Sequence, residues 1–179
     1  GYKAGMIADY FSSLSLPCDV ETSVESKPMG TGGGLKNASG LLSAGTVLVL
    51  NGDSFCKVDY RKMLAGHRVK KADVTIAVVP VPDAGAFGSI AVDAAGRVRA
   101  FNEKQGRGQG LVNAGVYVFR KSVIESMPTT IPLSLEKDVF PGMLGGGLFA
   151  HVVDGPLLDI GTPEGYEKAQ RILPAMMAP

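Results

Sequence analysis

The sequence has little from which to build a metal centre on nitrogen or sulfur, since it holds only two cysteines and two histidines. Cys18 and Cys56 lie far apart without ligand spacing, and His67 and His151 add no cluster, so zinc-type sites are excluded and free thiols in a reducing compartment are expected. His67, among Arg68, Lys70 and Lys71, reads as part of a solvated helix face. An excess of one charge is also missing: 18 Lys and Arg stand against 17 Asp and Glu, a net charge of +1. That leaves no electrostatic footprint for nucleic acid or an anionic membrane. No apolar run has the length of a bilayer span, and the opening GYKAGMIADYF lacks the basic end and hydrophobic block of a signal peptide. A soluble, cytoplasmic protein is the expectation. There is no initiator methionine either; Gly1-Tyr2 reads as the end of a strand running into a helix, and a preceding segment is expected.

What is present suffices for one core: 179 residues at 45% hydrophobic content favour a single domain, residues 1–179. Ala4, Ile7, Tyr10 and Phe11 recur at helical spacing and predict a short helix over 3–13 with one buried stripe. Residues 19–25 read as a strand, a glycine-rich loop follows, and 35–42 read as a weak helix interrupted by Gly40. TVLVLNGD, residues 46–53, has the continuous apolar run of a parallel strand buried on both faces, with Asp53 where such a strand opens onto a crevice. A helix over 59–71 is capped by Asp59, with Met63 and Leu64 inward, and 74–81 form another buried strand. Short strands at 89–92 and 98–101 flank the turn Asp93-Ala94-Ala95-Gly96, and LVNAGVYVF is a further strand. A short helix near Ser122, one opened by Ser134, strands at 149–153 and 157–160, and a last helix after Gly161 complete the reading. Strands alternating with helices predict an α/β class: a three-layer core on a mixed, mainly parallel sheet, with ligands beyond the carboxyl ends of the strands.

Several residues can carry chemistry. In ESKPMGTGGGLKNA, Gly30, Gly32, Gly33 and Gly34 precede a helical segment. Such a turn either holds phosphate on free N–H groups or lets the main chain approach a flat base. A Walker A loop fails because Lys36 is flanked by Leu35 and Asn37, and the dinucleotide pattern fails because Leu35 stands where its last glycine belongs. Glu25, Pro28, Gly30 and Thr31 then suit gripping the edge of a base, although a glycine turn with no ligand explains the spacing equally. Asp53 in LNGDS and Asp159 in LLDIGT each end an apolar strand, and together they can hold one Mg²⁺, which typically takes one or two carboxylates plus phosphate oxygens. Taken singly, each is more readily a loop carboxylate that bonds backbone amides or caps a helix. Lys104, beside Glu103 in AFNEKQ, can meet a substrate phosphate as a point charge or simply face water. Asn113 interrupts an apolar strand, so if buried it needs partners, with a sugar hydroxyl among the candidates. Glu136 and Lys137 fit a capping box or surface pair nearly as well as a site.

Taken in order, VESKPMGTGG, VLNGDS, FGSI, AFNEK, VNAGVYVF, SLEKDVFP and DIGTPEGYEKAQ resemble the sugar-phosphate nucleotidyltransferases, most closely their D-glycero-D-manno-heptose 1-phosphate guanylyltransferase members. The resemblance runs from Gly1 nearly to the C-terminus. It implies a Rossmann-like nucleotidyltransferase fold and transfer of a nucleotidyl group, from GTP, to a sugar 1-phosphate, giving a GDP-sugar for polysaccharide biosynthesis and releasing pyrophosphate. Glu25, Pro28, Gly30, Thr31 and Gly52 would contact the nucleotide; Gly88, Glu103, Lys104 and Asn113 the sugar and its phosphate; Asp53 and Asp159 would hold Mg²⁺. Asp53, Lys104 and Asp159 would be the catalytic set. The partners implied are a nucleoside triphosphate and a sugar 1-phosphate, without nucleic acid or membrane, and with a homo-oligomer allowed but not required.

The chain departs from the family pattern in one large respect. Family members begin with a strand and a glycine-rich loop, G-G-x-G-T-R-L, followed by a Pro-Lys pair, and neither is present. The expectation is an N-terminally truncated chain that, taken alone, has little or no transferase activity and carries an exposed or mispaired strand edge. Mannose or glucose 1-phosphate as the sugar is the alternative within the family; a non-catalytic sugar-nucleotide-binding subunit is the alternative outside catalysis.

Overall fold

The computed structural model describes residues 1–85, 88–102 and 108–177. They form two compact units, one of residues 1–45 with 121–142, the other of residues 46–120 with 143 onward.

The first unit begins with helix α1, Ala4–Ser12, which buries none of its residues. The expected inward stripe is instead exposed, with Ile7 at 50% and Tyr10 at 61%. Residues 19–25 do not form the expected strand. A strand requires a hydrogen-bonded neighbour, and no paired strand adjoins this segment among the described residues. The glycines of ESKPMGTGGGLKNA lie inside helix α2, Gly30–Asn37, rather than in a loop ahead of it, and a 3₁₀ turn over Ala38–Leu41 extends the helix. Helix α4, Lys121–Ser126, follows in this unit, and a single π-helical turn over Leu135–Val139 is capped by Ser134, whose side chain accepts from Lys137 N–H. Lys36 on α2 donates to the Glu125 carbonyl of α4.

In the second unit the apolar runs form a sheet of six strands. These are β1, Thr46–Leu50; β3, Val74–Val81; β4, Ser89–Val92; β5, Val98–Asn102; β6, Gly110–Arg120; and β7, Leu148–Val152. A smaller sheet pairs β2, Ser54–Cys56, with β8, Leu157–Asp159. The mainly parallel sheet of the sequence reading is corrected: β3 and β7 run parallel, whereas β6 is antiparallel to β1, β3 and β4. The cause is β6 itself, long enough to take β3 along one edge and both β4 and β1 along the other. β1 is therefore half-buried rather than buried on both faces; its outer edge has no strand partner among the described residues, and Leu50 is 51% exposed.

The core follows the period of two along each strand. Ala77 and Val79 of β3 lie with Val112, Ala114, Val116 and Val118 of β6 in one buried cluster with Met63. Met63 belongs to helix α3, Tyr60–Val69, whose N-cap Asp59 accepts from Lys62 N–H. Each buried Val or Met contributes roughly 1.5–3 kcal/mol over its exposed state. His67, read as part of a solvated face, is instead buried one turn beyond Met63 and sits 2.9 Å, through Nδ1, from the buried Thr75 hydroxyl of β3. Helix α5, Pro163–Met177, opens on Thr162, whose hydroxyl accepts from Gly165 N–H. Among the described residues no helix is long and apolar enough to cross a membrane.

Burial holds the His67 imidazole below its ordinary value, helped by the Arg120 and Arg68 charges and opposed by Asp73. A group whose protonation is depressed in the native state binds fewer protons there than in the unfolded chain, so stability is kept above about pH 6.5 and falls as the pH drops below it. Urea midpoints measured from pH 8 to pH 5 should decline below that point, and His67→Asn, which cannot take up a proton, should flatten the decline. His151, lowered by burial and by Lys70, accounts for any slope that remains.

Candidate functional site

In the second unit Asp53 follows β1 through the turn Asn51-Gly52-Asp53, and Asp159 is the last residue of β8. The small sheet brings them together, because Ser54 pairs directly with Asp159 and Ile160 N–H donates to the Asp53 carbonyl at 2.8 Å. Both side chains are exposed. Gly161 fills no space between them: a Cβ there would stand 3.1 Å from Asp159 Oδ1 and 3.7 Å from Asp53 Oδ2. Two carboxylates thus line one bare cradle, beside the N-terminal turn of α5, while Asp159 Oδ1 accepts from Gly161 N–H at 2.8 Å. Among the described residues no group of three or more His, Cys, Asp or Glu could hold a metal. Two carboxylate donors and an open cradle fit a hard cation that completes its shell with water and phosphate oxygens, as Mg²⁺ does.

Asn113 of β6 is half-buried and partnered: its Nδ2 donates to the Tyr117 hydroxyl at 2.9 Å, and its Oδ1 accepts from Gly115 N–H at 3.0 Å. Gly88, at φ 77°, precedes β4 against the Asn102 carbonyl. Gly52 is exposed in its turn. Glu103 and Lys104 lie outside the described residues.

In the first unit the bareness of the glycine motif has a cause within the chain. Leu133 lays its main chain across the start of α2: its carbonyl accepts from Gly32 N–H at 2.8 Å and Gly33 N–H at 3.1 Å, and its own N–H donates to the Met29 carbonyl at 2.8 Å. Gly30 has φ 77°, and a Cβ there would stand 2.5 Å from the Leu133 carbonyl oxygen. The Gly32 and Gly33 amides are therefore engaged and not available to phosphate. Glu25 lies along the same helix, close enough that a Cβ on Gly34 would stand 2.5 Å from Oε1. Thr31 donates to Glu136 at 3.2 Å and accepts from Leu135 N–H at 2.9 Å, while Pro28 is exposed. Leu133 went unremarked in the sequence, although IPLSLEKD carries the signal: an apolar residue between a proline and a helix cap.

The paired acidic side chains thus stand on adjoining strand ends of an α/β unit, at the kind of crevice where such sheets take ligands. Residues 2–175 match the nucleotidyl transferase family, and the chain belongs to it. It is 36% identical to the mannose-1-phosphate guanylyltransferase of Mycobacterium tuberculosis over 99% of its own length, but spans about half, 51%, of that protein. It is 34% identical to the D-glycero-alpha-D-manno-heptose 1-phosphate guanylyltransferase of Aneurinibacillus thermoaerophilus, covering 97% of this chain and 75% of that one. Among solved structures, HddC from Yersinia pseudotuberculosis complexed with GMP-PN superposes with a TM-score of 0.83 at 34% identity, over 96% of this chain and 75% of that one.

The packing at α2 separates two glycines. Gly30→Ala places a side chain at a left-handed φ and against the Leu133 carbonyl, and should lower stability by about 3 kcal/mol. Gly40→Ala, where a Cβ meets nothing within 4 Å, should be neutral or raise stability by up to about 1 kcal/mol. Urea denaturation of both variants checks the contrast, and equal losses would remove the Leu133 contact as its cause.

Proposed function

We propose that the protein transfers a guanylyl group from GTP to a manno-configured sugar 1-phosphate, D-glycero-D-manno-heptose 1-phosphate in the first instance, forming a GDP-sugar and pyrophosphate in the cytoplasm. The observation that carries the reading is the meeting of Asp53 and Asp159 on either side of Gly161. The guanylyl specificity is supported by the relatives from M. tuberculosis and A. thermoaerophilus, whose names give the same nucleotide and two sugars that share the manno ring.

In this reaction an oxygen of the sugar phosphate attacks the α-phosphorus of GTP in line with the departing pyrophosphate. One P–O bond forms as the α–β bridge breaks, and catalysis rests on positioning and charge neutralisation. Asp53 and Asp159 would hold Mg²⁺, which supplies neutralisation of phosphate charge. Lys104 would orient the attacking phosphate, with Glu103, Gly88 and Asn113 on the sugar. Glu25, Pro28, Gly30, Thr31 and Gly52 would serve the nucleotide, the glycines by presenting main chain without side-chain bulk. Mannose 1-phosphate is the second sugar reading, favoured by the M. tuberculosis relative.

The test is a pyrophosphate-release assay on the native gene product with heptose, mannose and glucose 1-phosphates, each paired with GTP, UTP or ATP. Turnover confined to GTP with a manno sugar is the expected result; turnover only with glucose 1-phosphate and UTP overturns the assignment, and nucleotide binding without turnover would favour a non-catalytic subunit. Asp53→Asn and Asp159→Asn should each lower kcat at least about a hundredfold, on the scale of losing a transition-state charge partner. Unchanged rates in both would remove the metal assignment.

A further inference from the structure

β6 is not a regular strand. Its pairing with β3 passes from Ile76 opposite Tyr117 to Val78 opposite Asn113, so β6 carries extra residues around Gly115, which has φ 71°. Bulges of this kind re-aim the chain near functional residues. Here the re-aimed group is the Gly115 carbonyl, which accepts the Asn51 N–H at 2.8 Å. That bond lies two residues before Asp53, at the point where β1 ends and the turn to the acidic pair begins.

Gly115 is also the point of closest approach. A Cβ there would stand 2.5 Å from Ser54 Oγ and 2.9 Å from Asn51 Nδ2, the residues that bracket Gly52 and Asp53. The bulge is held open from its other side by Asn113, whose Oδ1 binds the Gly115 amide while its Nδ2 binds the hydroxyl of Tyr117, a fully buried ring. A continuous path therefore runs from a buried phenol through a side-chain amide and one residue, Gly115, to the turn bearing Asp53. Each link is a hydrogen bond of 2.8–3.0 Å.

We propose that Asn113 is a positioning residue for the metal-binding carboxylate: anchored by Tyr117, it fixes the Gly115 bulge, which sets the Asn51–Ser54 turn and hence Asp53. This rests on the reading of Asp53 and Asp159 as holders of a divalent cation, and adds a role for Asn113 beyond any contact with sugar. The Asn113 oxygen that faces the peptide at Gly115 is the atom that matters. Removing it should loosen the cation site without removing a ligand, an effect typically of about 10–100-fold in metal affinity.

Mn²⁺ provides the probe, with free ion followed by its electron paramagnetic resonance signal during titration of the full chain, so no turnover is required. Asn113→Leu keeps the branched shape and loses both hydrogen bonds; its Mn²⁺ affinity should fall at least about tenfold. Asn113→Ser, whose hydroxyl can accept from the N–H two residues on, should recover most of the loss. Gly115→Ala should weaken Mn²⁺ as Asn113→Leu does, by pushing on Ser54 and Asn51. If Asn113→Leu fails to fold, Asn113→Ala, which adds no apolar bulk, reads the same quantity. Wild-type affinity in the Asn113 and Gly115 variants, alongside a loss in Asp53→Asn, would overturn the positioning role and leave the metal reading intact. Equal affinity in wild type and Asp53→Asn would overturn both.

Discussion

The Gly115 carbonyl meets the Asn51 amide at 2.8 Å, and no side chain could stand between them. On that contact depends how β1 leaves the sheet, where the turn through Asp53 lies, and how Ser54 enters the small sheet opposite Asp159. A second constraint of the same kind operates in the other unit, where Leu133 presses its main chain on Gly32 and Gly33. In both places a main-chain hydrogen bond sits beside a glycine with no room for a methyl group: a Cβ on Gly115 would meet the Ser54 and Asn51 side chains, and one on Gly30 the Leu133 carbonyl. Such contacts are directional and leave no slack, which suits elements that must hold a ligand-facing group to within a fraction of an ångström.

Much of this was legible in the sequence, and the reason differs from element to element. Residues 74–81 and LVNAGVYVF were clear because a strand buried on both faces needs a long, largely apolar run, and little else produces one. Asp59 and Ser134 were readable as caps because an unsatisfied helix amide selects a short oxygen-bearing side chain. The acidic pair could be placed at one rim because both residues end apolar runs. Strand direction was not legible: an apolar run carries no record of which way its neighbour points, so β1 read as parallel although β6 makes it antiparallel. His67 misled for a related reason, since its basic sequence neighbours lie on the outer side of the same helix and composition cannot see which side one imidazole takes.

The glycine motif illustrates a different limit. Its bareness was correctly read as a demand for close approach, but the approaching group was sought among ligands, and part of the answer is Leu133, about a hundred residues further along the chain. Local sequence reports that space is needed and cannot name the occupant. Thr31 of α2 is fixed by Glu136 and by the Leu135 amide, and Glu25, ahead of the helix, accepts from the Met29 amide.

The small sheet of β2 and β8 has only three residue pairs, and one of its ends carries two like charges facing a common gap. Left to themselves those charges push the strands apart, in water only by a modest amount at such separation. A cation between them turns the repulsion into a clasp. With the proposed cation in place, ion occupancy and local order would be linked: filling the gap would stiffen the small sheet and the start of α5, and emptying it would let them breathe.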